Sequence, residues 1–520
     1  MRTPASALFA LLLFAASARA QETPAKGKIV AVDLFKNGLA VVRCEVTLGK
    51  AGAYVLTDVP EPVYGTFWAE SPAVVETAVQ MREAEVPAAE AAPGNPQDDF
   101  AGKKVTVTLK GENRPPVVGT MTKLKPAKGE SGPAAAGRFL VLQTAKGRAY
   151  VDASEVAAIE AEGAGDTVTR RQPRMLLTLK EADTAETKVT LRYLAYGLAW
   201  SPSYRLDISD PKTLALEQHA VIKNELADLD GAEVRLISGF PSVQFAHVRS
   251  LLTPRTTLAS FFADLDSGGR RGNPFTGNMV AQQSWGQPGP SGPALGATPT
   301  GEGVDLHYQP IGKRTLATGD ALALTVAKGK AGYERVVEWL VPDRRNEYGQ
   351  YDRDGRRDDE DDSAWDALKF KNPLPFPMTT APATVTANGS FNGQRASYWT
   401  NAGEEMVLRV EKALSVRTRA TESEAGTGER EVVWVGGRQY RRGTVSGEVA
   451  VSNNRKEAVT LLVRRRFSGE LVKADGDPKS SLRDEGVYSV NKRNELVWTL
   501  SLKGGETNTL KYSYTVLVRE

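Results

Sequence analysis

Side chains able to do nucleophilic, acid–base or metal chemistry are few in this chain, and they are scattered. It has three histidines, His219, His247 and His307, and a single cysteine, Cys44. One cysteine excludes an intramolecular disulfide and a Cys-based zinc site. Cys44 stands in the alternating run Ala40-Val-Val-Arg-Cys-Glu-Val46 and shares a strand face with Val42 and Val46. It therefore reads as a buried thiol whose pKa is raised and whose reactivity is low. His219 shares its face with Glu217 and Lys223, the pattern of a solvated strand. His247 and His307 match no ligand spacing. There is no H-E-x-x-H, no G-x-S-x-G elbow, no Walker loop and no G-x-G-x-x-G after a strand. The residues point to a protein that is not an enzyme and uses no cofactor. The alternative is a hydrolase of envelope polysaccharide or peptide, whose triad or carboxylate pair would assemble from distant strands.

Two charged stretches are the remaining candidates. Asp343 to Asp362 (DRRNEYGQYDRDGRRDDEDD) holds a D-x-D-G turn followed by acids, and Asp352, Asp354 and Asp358 are candidate calcium ligands. Five interleaved arginines favour a self-neutralising solvated loop instead. A basic cluster gathers Arg438, Arg441 and Arg442 after a Gly-Gly turn with Arg464, Arg465 and Arg466 at the end of a strand. Two neighbouring strands would bring these guanidinium groups together as a site for an anionic glycan or lipid headgroup. The opposing reading is a wet sheet face.

The elements that must position these groups are strands. Lys104–Lys110, Lys188–Tyr193, Ala232–Ile237 and Thr509–Val518 alternate apolar with polar residues, and Gly, Pro, Asn or Asp bound them. Lys36-Asn-Gly38, Asp230-Gly231, Ala387-Asn-Gly389 and Lys503-Gly-Gly505 are the hairpin turns. The only helices expected are short ones, for instance over Ala153–Ile159 and around Thr77–Glu83. The fold class is all-β: antiparallel β-sandwiches in several domains, with a small SH3-like or Sm-like barrel near the N-terminus. Composition sets the boundaries: a β region over 21–83, a Pro/Ala/acid linker over 84–99, the barrel over 100–162, and a first sandwich block over 170–250. A Gly/Pro-rich flexible insert covers 261–303, β structure resumes over 305–342, a charged flexible loop covers 343–363, and the last sandwich runs over 364–520. No internal repeat of fixed period is visible.

Compartment and partners follow from the ends and the charge. Met1-Arg2, the apolar Ala7–Ala16 and Ala18-Arg19-Ala20 form a signal-peptide pattern, with cleavage expected after Ala20. No later apolar run is long enough to span a membrane as a helix. The formal charge of +3 becomes +1 once Arg2 and Arg19 leave, so the chain lacks the basic field of a nucleic-acid binder.

Longer motifs carry a resemblance. Leu194-Ala-Tyr-Gly-Leu-Ala-Trp-Ser-Pro-Ser-Tyr-Arg-Leu206 contains a Gly followed by Trp-x-Pro-x-Tyr and a strand. Ala220-Val-Ile-Lys-Asn224 and Asp228–Pro241 follow, then Val451–Val459, Leu496–Gly505 and Tyr512-Ser-Tyr514. Over residues 170–520, with a similar strand region at Val32–Arg43, the chain resembles the bacterial mucoidy-inhibitor-A-like family of extracytoplasmic β domains. It lacks that family's coiled-coil insertion and carries the barrel instead. The resemblance implies a periplasmic or secreted β protein with a capsule- or exopolysaccharide-related role, and it brings no catalytic residues. Trp200 and Tyr204 read on their own as core anchors, and Gly197 and Pro202 as a bend. The expectation is a binding scaffold whose partner is an envelope protein or an anionic glycan, presented from the inserts 261–303 and 343–362.

Overall fold

The computed structural model describes residues 22–87, 95–111, 113–124, 138–161, 167–180, 186–239, 243–254, 256–267, 306–346, 348–351, 363–424, 431–484 and 489–519. Strands make up 66% of the molecule and helices 4%, so the fold is all-β and built of several sheets. The described chain forms two compact units assembled from separated stretches. One takes its residues from Met1–Val30, Val42–Ala195 and Phe245–Gly268; the other takes them from Ala31–Val41, Tyr196–Gln244 and Gly269–Glu520.

In the first unit, Thr167–Leu179 pairs antiparallel with Val75–Pro87 on one side and Gly52–Leu56 on the other. The helix expected around Thr77–Glu83 is therefore strand. A long partner satisfies every second backbone group of Val75–Pro87, and that outweighs the local helical reading. Cys44 is buried here, and a Cβ on Gly27 would lie 2.7 Å from its Sγ. Burial, then the carboxylates of Asp58 and Glu45, push its thiol up to about 11. At pH 8 its reaction with a disulfide reagent is expected to be at least about a hundredfold slower than in the urea-unfolded chain, since the thiolate is the nucleophile. Equal rates in stopped-flow labelling would refute the buried-thiol reading.

The barrel segment also lies in this unit. Lys104–Leu109, Val117–Met121, Phe139–Thr144 and Gly147–Asp152 follow one another as a meander, and Val156–Ala161 returns to pair with Lys104–Leu109. Val105, Val107, Met121, Leu140, Leu142 and Val151 form its core. The four expected strands are present, but Val156–Ala161 is a fifth strand and the expected barrel does not close: Gly147–Asp152 and Val156–Ala161 remain the two edges of the sheet. The helix expected at Ala153–Ile159 shrinks to a 3₁₀ turn, Ala153–Glu155, capped by Asp152, because Val156 and Ile159 turn into the core. The end of the expected linker is structural. Asn95 caps the helix Pro96–Asp99, whose buried Gln97 accepts from the Val141 N–H (2.7 Å) and donates to the carbonyls of Val141 (3.1 Å) and Thr122 (2.6 Å). Leu258–Ser267 is a helix, so the expected insert over 261–303 begins as ordered structure; its remainder over 268–303 lies outside the described residues.

The second unit contains two sheets that face each other. A ten-stranded sheet supplies Trp339, Val463, Phe467, Leu496 and Trp498. A five-stranded sheet supplies Val416, Val445, Val449, Tyr512, Tyr514 and Val516 to the same core. A second core joins Tyr204, Leu206, Leu214 and Leu216 to Phe370, Met378, Val385 and Leu408. Trp200 and Tyr204 are buried anchors: the indole N–H donates to the Ile237 carbonyl (3.0 Å), and the Tyr204 hydroxyl accepts from the Thr379 N–H (2.8 Å). Gly197 has a φ of +114°, and a Cβ there would lie 3.2 Å from the Leu226 backbone. Asp230-Gly231 is not a hairpin turn but a bulge, where the register of Leu229–Ser238 against His307–Leu316 slips between Leu229 and Ala232. Not every pairing is antiparallel. Leu198–Asp207 with Ala381–Ala387, Ala321–Val341 with Val459–Ser468, and Leu229–Ser238 with residues 31–34 run parallel.

One device occurs three times among the described residues of this unit. Asn224, Asn372 and Asn453, all buried, each follow or end a strand. Their main-chain N–H groups donate to the carbonyls of Asp320, Glu404 and Glu506, and their carbonyls accept from Gly319, Gly403 and Gly505. Each side-chain amide donates to three carbonyls: Ala227, Leu316 and Ala317 for Asn224; Phe376, Thr400 and Asn401 for Asn372; Glu457, Leu502 and Lys503 for Asn453. Each side-chain oxygen accepts the N–H of the residue two further on: Leu226, Leu374 and Arg455. The chain thus repeats an Asn clamp against a Gly-Asp or Gly-Glu turn, at separations that share no fixed period.

Candidate functional site

The strand Val459–Ser468 explains how three consecutive arginines part company. Side chains alternate across a strand, so Arg465 points opposite to Arg464 and Arg466. Arg464 and Arg466 lie on the outer face in an ion-pair ladder. Arg464 Nε meets Glu338 at 2.9 Å, Arg464 Nη1 meets Glu495 at 3.3 Å, Arg466 Nε meets Glu495 at 3.0 Å, and Arg409 Nε meets the other oxygen of Glu338 at 2.8 Å. These two belong to a paired sheet face.

Arg465 is 3% exposed and points into the sandwich. Its Nη2 pairs with Glu422 Oε1, its Nε donates to the Tyr512 hydroxyl at 2.7 Å, and its Nη1 donates to the Pro342 carbonyl at 2.6 Å and to that of Arg466. Glu422 Oε1 also accepts from the Tyr512 hydroxyl at 2.7 Å, and its Oε2 accepts from Tyr514 at 3.3 Å and Tyr351 at 3.4 Å. The register explains the meeting. Glu422 pairs with Gly447, and Gly447 pairs with Tyr512, so the three stand in one row across adjacent strands. A Cβ on Gly447 would lie 2.2 Å from the Tyr512 ring, so only glycine lets the phenol cross its strand to reach Glu422. Burial drives the Glu422 carboxyl up, but Arg465 and the hydroxyls acting against it leave it below the ordinary carboxylate range. Burial pushes the Tyr512 and Tyr514 phenols well above theirs. The network is a fixed carboxylate with proton-holding phenols around it.

Above this network lies an open groove of about 550 Å³, lined by Thr421, Glu422, Ser423, Ser446, Gly447, Glu448, Lys473, Asp475, Lys511, Tyr512 and Ser513. Ser423, Ser446 and Ser513 pair in register, so three hydroxyls cross three strands at a spacing of about 4.8 Å. The neighbouring row is Thr421, Glu448 and Lys511. The groove therefore offers small hydroxyl donors and acceptors with charges of both signs beside them.

The six arginines read together as one surface are not one. Arg438, Arg441 and Arg442 sit on the hairpin that Val432–Val435 makes with the strand Arg438–Asn453. Arg441 opposes Val518, six positions along the strand from Tyr512, or about 20 Å at ~3.3 Å per residue. Asp352, Asp354 and Asp358 lie outside the described residues. The described start of their stretch is not a solvated loop. Arg345 is 8% exposed, its Nη1 donates to the Gly349 carbonyl at 2.7 Å, and its guanidinium lies 3.9 Å over the Tyr351 ring. Asp343 accepts from Ser468 Oγ at 2.6 Å and from the Arg345 N–H at 3.1 Å, and burial pushes its carboxyl up. His219 meets Glu217 at 3.3 Å, His247 meets the Asp264 carbonyl at 3.1 Å, and His307 stacks on Phe376. Among the described residues no three His, Cys, Asp or Glu groups converge for a metal. Gly447, Ser446 and Ser513 escaped sequence reading, and Glu422 and Ser423, which composition puts in a mobile loop over 422–429, lie instead in the strand Val416–Glu424. Their one visible signal was the alternation of Tyr512-Ser-Tyr514 with Arg464-Arg-Arg466.

No protein-family model and no curated protein matches this chain.

Proposed function

We propose that the chain is an exported β-scaffold protein of the cell envelope that acts by binding, with an anionic envelope glycan as the occupant of its C-terminal groove. The observation that carries this reading is the serine row Ser423–Ser446–Ser513 flanked by Lys473 and Lys511. Hydroxyls spaced along a shallow floor suit a polymer of hydroxyls, and the lysines suit its carboxylates. The locked network beneath supports the reading in a second way. A floor whose backing side chains are all engaged presents its donors in one geometry, which lowers the entropy lost on binding. The signal-peptide pattern and the likeness to the mucoidy-inhibitor-A-like family point to the same compartment and role.

The test is calorimetric titration with uronic-acid oligosaccharides. Binding is expected, Ser446→Trp should abolish it by filling the floor, and Lys511→Glu should weaken it about tenfold or more. Absence of binding, or binding that Ser446→Trp leaves unchanged, overturns the proposal. Release of new reducing ends during the titration would replace it with the hydrolase reading.

A further inference from the structure

We propose that the hairpin of Val432–Val435 with Arg438–Arg442 is a docking element for an anionic lipid surface, anchored by Trp434. Its register is Val432 to Arg441, Val433 to Tyr440, Trp434 to Gln439 and Val435 to Arg438. Directly opposed residues share a sheet face, so Val432, Trp434, Gln439 and Arg441 stand together on one side. The other face is tied down by Tyr440, which is 3% exposed. Trp434 is 68% exposed and Val432 is 46% exposed, a large apolar surface for a side chain with a polar indole edge.

The hairpin projects. Gly436 and Gly437 form its tip with φ of +57° and +74°, and a Cβ on either would meet nothing within 4 Å. Among the described residues, the strand Val432–Val435 pairs on one side only. Residues 431–442 carry three arginines against one glutamate, which is Glu431, 3.2 Å from Arg442. An exposed indole among arginines at a projecting tip combines the two attractions of a bilayer interface, apolar insertion and charge. A soluble polyanion would draw on the arginines alone and leave Trp434 without use. The charge complementarity and the apolar tip together select a lipid surface.

The experiment is cosedimentation of the full chain with vesicles. It is expected to bind mixed phosphatidylglycerol–phosphatidylcholine vesicles at low salt, to bind pure phosphatidylcholine weakly, and to detach as salt rises. A basic residue at an anionic surface contributes roughly fivefold in affinity. Arg438→Glu with Arg441→Glu should therefore weaken binding at least about tenfold. Trp434→Ala should also weaken it about tenfold, while Phe391→Ala, at an equally exposed aromatic on another sheet, should leave it unchanged. Arg438, Arg441 and Trp434 are all exposed, so the variants are expected to keep the thermal midpoint of the parent. No binding to the mixed vesicles overturns the proposal. So does vesicle binding that survives Trp434→Ala, or a soluble polyphosphate that parent and Trp434→Ala bind equally well and that the two arginine substitutions release.

Discussion

Replacing Arg465 by leucine is expected to destabilise the C-terminal sandwich by about 3–5 kcal/mol, because it leaves the buried Glu422 carboxylate without its counter-ion. The geometry behind this is direct: Arg465 is 3% exposed and meets Glu422, Tyr512 and two or more main-chain carbonyls. Glu422→Gln should lose a similar amount at pH 7 by stranding the guanidinium. A double-mutant cycle with Arg465→Leu and Glu422→Leu should show that the pair costs less to remove together than the sum of the singles. The pH dependence has a definite sign. The Glu422 carboxyl is held below its ordinary value, so its contribution is present above the unfolded-state pKa, near ~4.3, and is lost as pH falls through the folded one. Asp343 has the opposite sign: burial raises it, so its contribution is present in acid and lost as pH rises through the raised value. The stability gap between the parent and Glu422→Gln should therefore close towards pH 3. Urea unfolding read by tryptophan fluorescence measures all of this, and a loss under 1 kcal/mol for Arg465→Leu would show that the pair is solvated.

The Asn clamps carry the second large effect. Asn453→Ala removes donors from three carbonyls and an acceptor from the Arg455 N–H, all at a site that is 0% exposed. Each buried polar group left unpaired costs roughly 1–3 kcal/mol, and partial relaxation should bring the total to about 2–4 kcal/mol. Asn453→Asp is the sharper test. It keeps the shape and the acceptor but points a carboxylate oxygen at three carbonyl oxygens, so at pH 7 it should be at least as damaging as alanine. Equivalent substitutions at Asn224 and Asn372 should behave alike. An aspartate at Asn453 that leaves the urea midpoint unchanged would mean that the amide bonds do not hold the turn.

Much of the strand content was legible because one face of each sheet is wet, and the alternation in runs such as Lys188–Tyr193 and Thr509–Val518 survives as burial alternation. What escaped was partnership. Nothing in Thr167–Leu179 says that it pairs with Val75–Pro87 rather than with the strands that follow it, so linear boundaries cut across the true units. The basic cluster failed for a related reason. Arg464-Arg-Arg466 reads as a block of charge, but the period of two sends its middle member into a core and its flanks to an ion-pair ladder. The Asn clamps were hidden by unequal separations, although each shows the same local sequence logic of an Asn set against a distant Gly-Asp or Gly-Glu.

The parallel pairing of residues 31–34 with Leu229–Ser238 has a kinetic meaning. A chain delivered from its N-terminus, by a ribosome or through a translocation pore, presents residues 31–34 long before their partner exists. The same delay separates Leu198–Asp207 from Ala381–Ala387. Each early strand must wait with its hydrogen-bonding edge open, and closure over such sequence distances is slow. Waiting edges are templates for wrong partners. This topology therefore places its main aggregation hazard during synthesis and delivery, before either unit can complete a sheet.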